Sequence, residues 1–290
     1  MTDRRDFLRV LGLTAAAGAL APRSARALGD GLLSDTSAKL KRVGVQLYSV
    51  RDAMARDGVD RTLGRVAEIG FREVEFAGYY RQTAAQVRES LRSHGLTSPS
   101  VHVSLDDLKA PTFPKFVEDA QNIGHKWINL AWLLPNQRGS AEKYNAHADV
   151  LLAAQRIAQP AGINIGYHNH DFEFEPLGDT TGYEILLNRT AGSGVVFEMD
   201  LYWMHFAGQD PVSWWARYPG RFPMVHVKDS TAAPGKEMRP VGQGVIPFGA
   251  LFEQRRVADI KHFYVEHDNP ADPFASITSS FGYLKALRFR

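Results

Sequence analysis

The sequence predicts an α/β fold, a single-domain (β/α)8 barrel, and three observations carry that expectation. Short apolar, β-branched runs recur eight times, helical patterns fill the intervals, and successive runs begin 27 to 38 residues apart, the length of one strand–helix unit. The runs are 43–50 ("VGVQLYSV"), 71–78, 98–104, 126–133, 163–170 ("INIGYHNH"), 195–203, 223–230 and 261–268. Between them, 60–70 ends on Gly70 as a helix stop, 83–95 opens on Thr83 as N-cap and closes on Gly95, and 145–162 is the longest helical pattern. A doubly wound sheet shares this alternation. No GxGxxG follows the first run, however, and eight units in this length favour the barrel. The stretch 231–249 is too rich in Gly and Pro for a helix and is expected to be a long loop at the barrel mouth.

The first residues read as an address rather than as fold. Arg4 and Arg5 precede a mild Ala/Gly-rich apolar run that closes on Ala25-Arg26-Ala27, a small-x-small cleavage pattern. Residues 1–27 are therefore expected to be a twin-arginine signal peptide, 28–40 a spacer and 41–290 the barrel. The apolar run is too short for a strong membrane span, so the expected product is exported, periplasmic or secreted, with the twin-arginine translocase as its transient partner. Residues 1–27 hold five Arg and two Asp, which leaves 29 basic against 30 acidic residues in the remainder. That balance gives no basic face for nucleic acid and no excess charge for a membrane surface. With no cysteine in the chain, neither a disulfide nor a thiolate contributes. A homo-oligomer stays open.

A barrel keeps its chemistry at the C-terminal ends of its strands. Those ends offer Gln46 and Tyr48, Glu75, His102, then His168 and His170, Glu198 and Asp200, His226 and Lys228, and Glu266 and Asp268. Side chains at i and i+2 share a face, so the interior would carry several charges at once, a costly arrangement unless something binds them. His168, Asp200, His226 and Glu266 are separated by 32, 26 and 40 residues, about one unit each, so four neighbouring strands can bring them to one divalent ion. Two imidazoles and two carboxylates suit Mn2+ first, with Fe2+, Co2+ or Zn2+ as alternatives, rather than Ca2+. Glu198 lies one layer deeper and is expected to pair with Lys228 or to act in the chemistry. His170 is placed as a catalytic or substrate-touching group, and His102 as a core histidine or a substrate contact. Gln46, Lys228 and Trp203 are assigned to the substrate, Trp203 as a stacking surface for a sugar. Arg239 opens "RPVGQG", where a guanidinium and glycine amides would hold substrate oxygens. Asp171 and Glu173 are expected to cap or to face solvent, with Glu173 an outside candidate to reach the ion. Trp214 and Trp215 are expected to pack a helix.

These residues resemble the xylose-isomerase-like TIM barrels, the sugar phosphate isomerases/epimerases, over nearly all of 41–290. The motifs that carry the likeness are "MDLYW", "VHVKD" followed by "RPVGQG", and "VEHD". The resemblance implies metal-binding roles for Asp200, His226 and Glu266 and a substrate-holding role for Arg239. The epimerases of that family carry a glutamate where His168 stands and tend to have a histidine where Trp203 stands. The first exchange keeps a metal ligand but removes one member of a two-glutamate proton shuttle. The family implies a metal-dependent isomerase or epimerase that removes a proton next to a carbonyl, with Glu266, His168 or His170 as base. Inosose dehydratases of the family have a similar histidine-rich strand five. A lyase acting on a keto-sugar, inosose or 3-keto-glycoside is therefore the alternative, and a non-catalytic sugar-binding barrel a third.

Overall fold

The computed structural model describes residues 38–290. The signal-peptide reading of 1–27 and residues 28–37 of the spacer lie outside them. Eight parallel strands close into a barrel: β1 (Gly44–Gln46), β2 (Glu73–Phe76), β3 (Thr97–Val103), β4 (Trp127–Leu130), β5 (Asn164–His168), β6 (Val196–Asp200), β7 (Met224–Val227) and β8 (His262–Val265). Each strand pairs with its sequence neighbours, and β8 returns to β1 through Gly44–Tyr264 and Val45–Val265. All eight sequence runs are strands; seven are shorter than the runs themselves, and β3 has the run's length but starts one residue earlier. The residues after β1 turn into a 3-10 segment (Leu47–Val50), and those after β6 enter a helix (Leu201–Phe206), so Tyr48 and Trp203 sit on the mouth rather than in the sheet.

Local chemistry sets the helix ends as the sequence indicates. Thr83 caps Ala84–Ser93 in a full capping box with Gln86, and Gly70 ends Val59–Ile69 at φ 117°, a conformation that favours glycine. The long helix covers Ala141–Ala158, and Trp214 and Trp215 are buried on Pro211–Arg217. The barrel begins slightly earlier than expected. Ala38 bridges to Phe289 in both directions (N to O 2.5 Å, return 3.1 Å) and Leu40 is buried, so 38–40 belong to the barrel and not to a spacer.

The hydrophobic core lies between strands and helices. Val45, Val74, Phe76, Ile128, Leu130, Ile165, Phe197, Met199, Val225, Val227 and Val265 are all buried in one contiguous cluster with helix residues such as Leu63, Val87 and Leu151. Most of the alternate strand positions are polar, with Trp127, Val196 and Met224 among the exceptions. Groups on strands that are not neighbours meet across the interior: His226 of β7 touches Glu75 of β2, His102 of β3 touches Glu198 of β6, and His262 of β8 touches Glu73 of β2. Barrel interiors are ordinarily filled by branched aliphatic layers. Here the interior is a hydrogen-bonded network, and buried polar groups of that kind are tolerable only when nearly all are satisfied.

Candidate active site

Four strand ends supply the centre of the site. His168 ends β5, Asp200 ends β6, His226 lies within β7 and Glu266 directly follows β8. All four are buried, and one ligand atom from each lies within 4.8 Å of the others. Two observations fit this set to a cation. Asp200 divides its oxygens: Oδ1 accepts from the backbone N–H of Tyr202 (2.9 Å) and Trp203 (3.0 Å), capping the next helix, while buried Oδ2 has no hydrogen-bond partner. The Lys228 ammonium lies 3.0 Å from Oδ2, an ion pair without hydrogen-bond geometry. The second observation is the backing of His226. Nδ1 faces Glu266 (2.7 Å), and Nε2 faces Glu75 (2.7 Å) and Glu198 (3.1 Å). Glu75 and Glu198 back the imidazole on its Nε2 side and fix its orientation, as carboxylates do behind metal-ligating histidines, while Nδ1 lies on the side of Glu266.

Glu75 is itself rigidly held. It accepts from Gln46 Nε2 (2.8 Å), from the Ser100 hydroxyl and from Asn129 Nδ2 (3.2 Å). Gln46 is fully buried, and its other end accepts from Tyr48 N (3.0 Å). Its expected substrate role therefore gives way to a place in the floor, because Glu75 and Tyr48 N take both ends of its amide. Gly166 makes room for that floor: a Cβ there would meet Asn129 Oδ1 at 1.8 Å.

Glu198 does not pair with Lys228 as the sequence suggested. Its Oε2 takes three imidazoles, His102 (2.6 Å), His226 (3.1 Å) and His168 (3.2 Å). His102, His168, Glu198 and His226 thus form a second, deeper set with metal-ligand spacing that shares two members with the outer one. Lys228 instead sits among Glu266 (2.7 Å), Asp268 (2.8 Å) and Asp200. The balance of burial and charge sets the protonation states. Burial pushes the Glu266 carboxyl up, but Lys228 and His226 outweigh it and hold it well below the usual carboxylate range. Burial raises Asp200 to about 6, against the pull of Lys228 and His226. Burial and His226 depress His168 to about 3, so its imidazole is neutral and available as a ligand. Burial works against a charged His102, yet Glu75 and Glu198 outweigh it and raise its proton affinity.

A cavity of about 770 Å³ stands over this centre. His102, His168, His170, Lys228, Glu266 and Trp203 all line it, so these sequence-selected residues are brought together. His170 packs flat on Phe172 and edge-on to Trp132, with its Nδ1 buried and unbonded among the described residues. Three further expectations are not met. Arg239 does not line the cavity; its guanidinium pairs with Glu237 (2.8 Å) and is half exposed. The glycine amides of "RPVGQG" are turned away as well. Gly242 N (2.8 Å) and Gly244 N (3.0 Å) donate to Asp229 Oδ2, a carboxylate of the protein itself. Glu173 is fully buried rather than solvent-facing. It accepts from the Tyr167 hydroxyl (2.8 Å) and His170 N (2.8 Å), so it does not reach the outer set of donors. Asn129 and Trp132 escaped sequence reasoning. A lone Asn inside the apolar run "KWINLAWL" was the available signal for the first, and nothing marked the second.

Among the described residues no helix is long and apolar enough to cross a membrane. No curated protein sequence matches the chain at a significant level. Solved structures do. A sugar phosphate isomerase/epimerase from Parabacteroides distasonis is 25% identical with a TM-score of 0.71, covering 89% of this chain and 97% of its own. An L-ribulose 3-epimerase, 12% identical, shares the fold at a TM-score of 0.65 over 84% of this chain and 93% of its own. The IolI protein with a bound zinc atom, 16% identical, does so at 0.66 over 83% and 95%. The family model described as "Xylose isomerase-like TIM barrel" matches residues 63–287. The chain belongs to the xylose isomerase-like TIM barrel family.

Proposed function

We propose that this protein is a divalent-metal-dependent carbohydrate enzyme that removes a proton next to a carbonyl of a keto-sugar or related compound. The observation that carries the reading is the convergence of His168, Asp200, His226 and Glu266 at adjacent strand ends beneath an open cavity. The outer set is preferred to the deeper one because its two carboxylates balance a divalent charge and Glu266 borders the cavity. An ion held there supplies a Lewis acid for the carbonyl oxygen. The rest is the protein's work. Glu266, kept ionised by Lys228 and His226, is a proton acceptor beside the substrate. Its low proton affinity makes it a weak base on its own, so the acidity of the carbon has to be raised by charge stabilisation at the oxygen. His102, with Nε2 held by Glu198 and a raised proton affinity, is the complementary donor.

Isomerase or epimerase chemistry is the family default. Elimination gains support from one feature. His168 replaces the strand-five glutamate, and Glu173 is bonded to Tyr167 and His170 instead of filling its place. A single carboxylate acceptor beside a histidine of raised proton affinity suits proton removal followed by departure of a β-oxygen. The test is incubation of the Mn2+-loaded protein in D2O with ketohexoses, inososes and 3-keto-glycosides, followed by removal of the ion before spectroscopy. Deuterium next to the carbonyl is expected, and the product then separates epimer or isomer from enone. No exchange with any substrate, at stoichiometric metal, overturns the enzymatic reading in favour of a sugar-binding barrel. Export by the twin-arginine route is proposed on Arg4, Arg5 and the Ala25–Ala27 pattern. It predicts a mature N-terminus near residue 28 and cytoplasmic retention of the Arg4→Lys/Arg5→Lys variant, measured by fractionation and N-terminal sequencing.

A further inference from the structure

The cavity has two chemically different ends. One carries the histidines and carboxylates already described. The other, after β4, exposes apolar side chains: among the described residues seven large hydrophobic side chains are exposed, and two of them, Trp132 (41%) and Leu134 (49%), line this cavity from one segment, while a third, Tyr48 (42%), lines it from after β1. Exposing an indole and a leucine together costs hydrophobic free energy, and a clustered apolar surface that continues a polar site marks the part of the ligand that lies beyond the reacting group.

Trp132 is also fixed in place. His170 packs on it edge-on with centroids 4.3 Å apart, Phe172 does so at 5.1 Å, and the Arg138 guanidinium lies 5.2 Å from its ring and 3.8 Å from that of Phe172. These neighbours hold the indole while leaving much of it uncovered. Its distance from the reacting end is set by rings as well: His168 and His170 are 5.0 Å apart, and Trp132 is the next ring beyond His170. A single hexose against the metal-ligand set would fill a fraction of the 770 Å³ and leave Trp132 and Leu134 in water.

We propose that Trp132 and Leu134 form a subsite for a second ring, so that the substrate is a glycoside rather than a free sugar. The keto-sugar unit lies against His168 and Glu266, and the aglycone presents an apolar ring face to Trp132. This rests on the carbohydrate reading above. The ring face can belong to an aryl group or to another sugar, both of which stack on a fixed indole.

The test is binding of unreactive probes to the full, zinc-loaded protein: methyl β-glucopyranoside, phenyl β-glucopyranoside and cellobiose. At least one of the two-ring probes is expected to bind about tenfold more tightly than the methyl glycoside. A lead for the phenyl compound identifies an aryl aglycone, and a lead for cellobiose a second sugar. Trp132→Ala is expected to remove most of that advantage while leaving the methyl glycoside unchanged. Leu134→Ala, at an exposed position where folding is not at stake, is expected to reduce it in the same selective way. Equal affinities for all three probes, no measurable binding of the two-ring probes, or an equal loss for all three in both variants overturns the subsite. The ranking is read from binding alone, whereas the catalytic reading is decided by deuterium exchange, so the two fail separately.

Discussion

Asp200 serves two structures with its two oxygens, and the variants that separate them test the metal assignment. Oδ1 caps Leu201–Phe206 and Oδ2 faces the candidate ion position. Asp200→Asn retains an acceptor for the cap but loses the anionic ligand, whereas Asp200→Ala loses both. Bound metal, measured on dialysed protein, is expected to fall at least tenfold in both. Only the alanine variant should show the further loss of about 1 kcal/mol that a missing N-cap costs. Full metal content in Asp200→Asn would remove this residue from the ligand set. Lys228 gives the opposite experiment. Its ammonium is the buried cation among Asp200, Glu266 and Asp268, and removing one partner of such a group leaves charge uncompensated, at a cost of about 3–5 kcal/mol. Lys228→Met should therefore melt much lower without metal and regain more stability than the wild type when Mn2+ is added, because the ion then replaces the missing charge. Equal metal-induced shifts in melting temperature would show that the ion does not share those carboxylates.

At the scale of the element, the loop after β7 is organised by Asp229. This buried carboxylate accepts from the backbone N–H of Ser230 (2.8 Å), Gly242 (2.8 Å), Gly244 (3.0 Å) and Ile246 (3.1 Å), pinning the chain that runs from the strand to the helix at Phe248–Glu253. Gly244 permits that approach, since a Cβ there would meet Ser230 O at 2.3 Å and Asp229 Oδ1 at 2.4 Å. Asp229→Ala leaves several buried donors without an acceptor and is expected to cost roughly 3 kcal/mol or more. Proteolysis should become faster within 231–247 in that variant; unchanged cleavage and stability would refute the clamp. The same loop shows what the sequence could and could not convey. "RPVGQG" announced a glycine-rich turn, which is correct, but the partner of its amides depends on the path of the loop, and a carboxylate at its base took them before any substrate could. Arg239 went with it to the surface. The strand ends were more legible. A barrel turns a repeat of one strand–helix unit into proximity, so His168, Asp200, His226 and Glu266 were readable as a set from their spacing. Gln46 was not, because its role depends on lying beside Glu75 in register, which a single strand does not reveal.

The whole molecule stores its polarity inside the barrel and its hydrophobic core outside it, and one buried acid lies away from the metal-ligand set, among the aromatic rings. Glu173 is fully buried beside Tyr167, with Tyr183 and Tyr144 contributing to the same region, and burial raises its carboxyl to about 8. In the unfolded chain the same group titrates near its ordinary 4.5. Between those two values the folded protein keeps a proton that the unfolded chain has released, so stability falls as pH rises through the window and levels off above the folded value. The slope from one such group approaches about 1.4 kcal/mol per pH unit. Glu173→Gln mimics the protonated acid: its carbonyl accepts from His170 N, and its amide donates to the Tyr167 oxygen, which can accept as well as donate. The variant should therefore match the wild type near pH 4.5 and become progressively more stable than it toward pH 8, measured by denaturant unfolding across that range. Parallel stability curves would mean that Glu173 is ionised in the folded protein, and that Tyr167 and His170 N stabilise its anion well enough to offset burial.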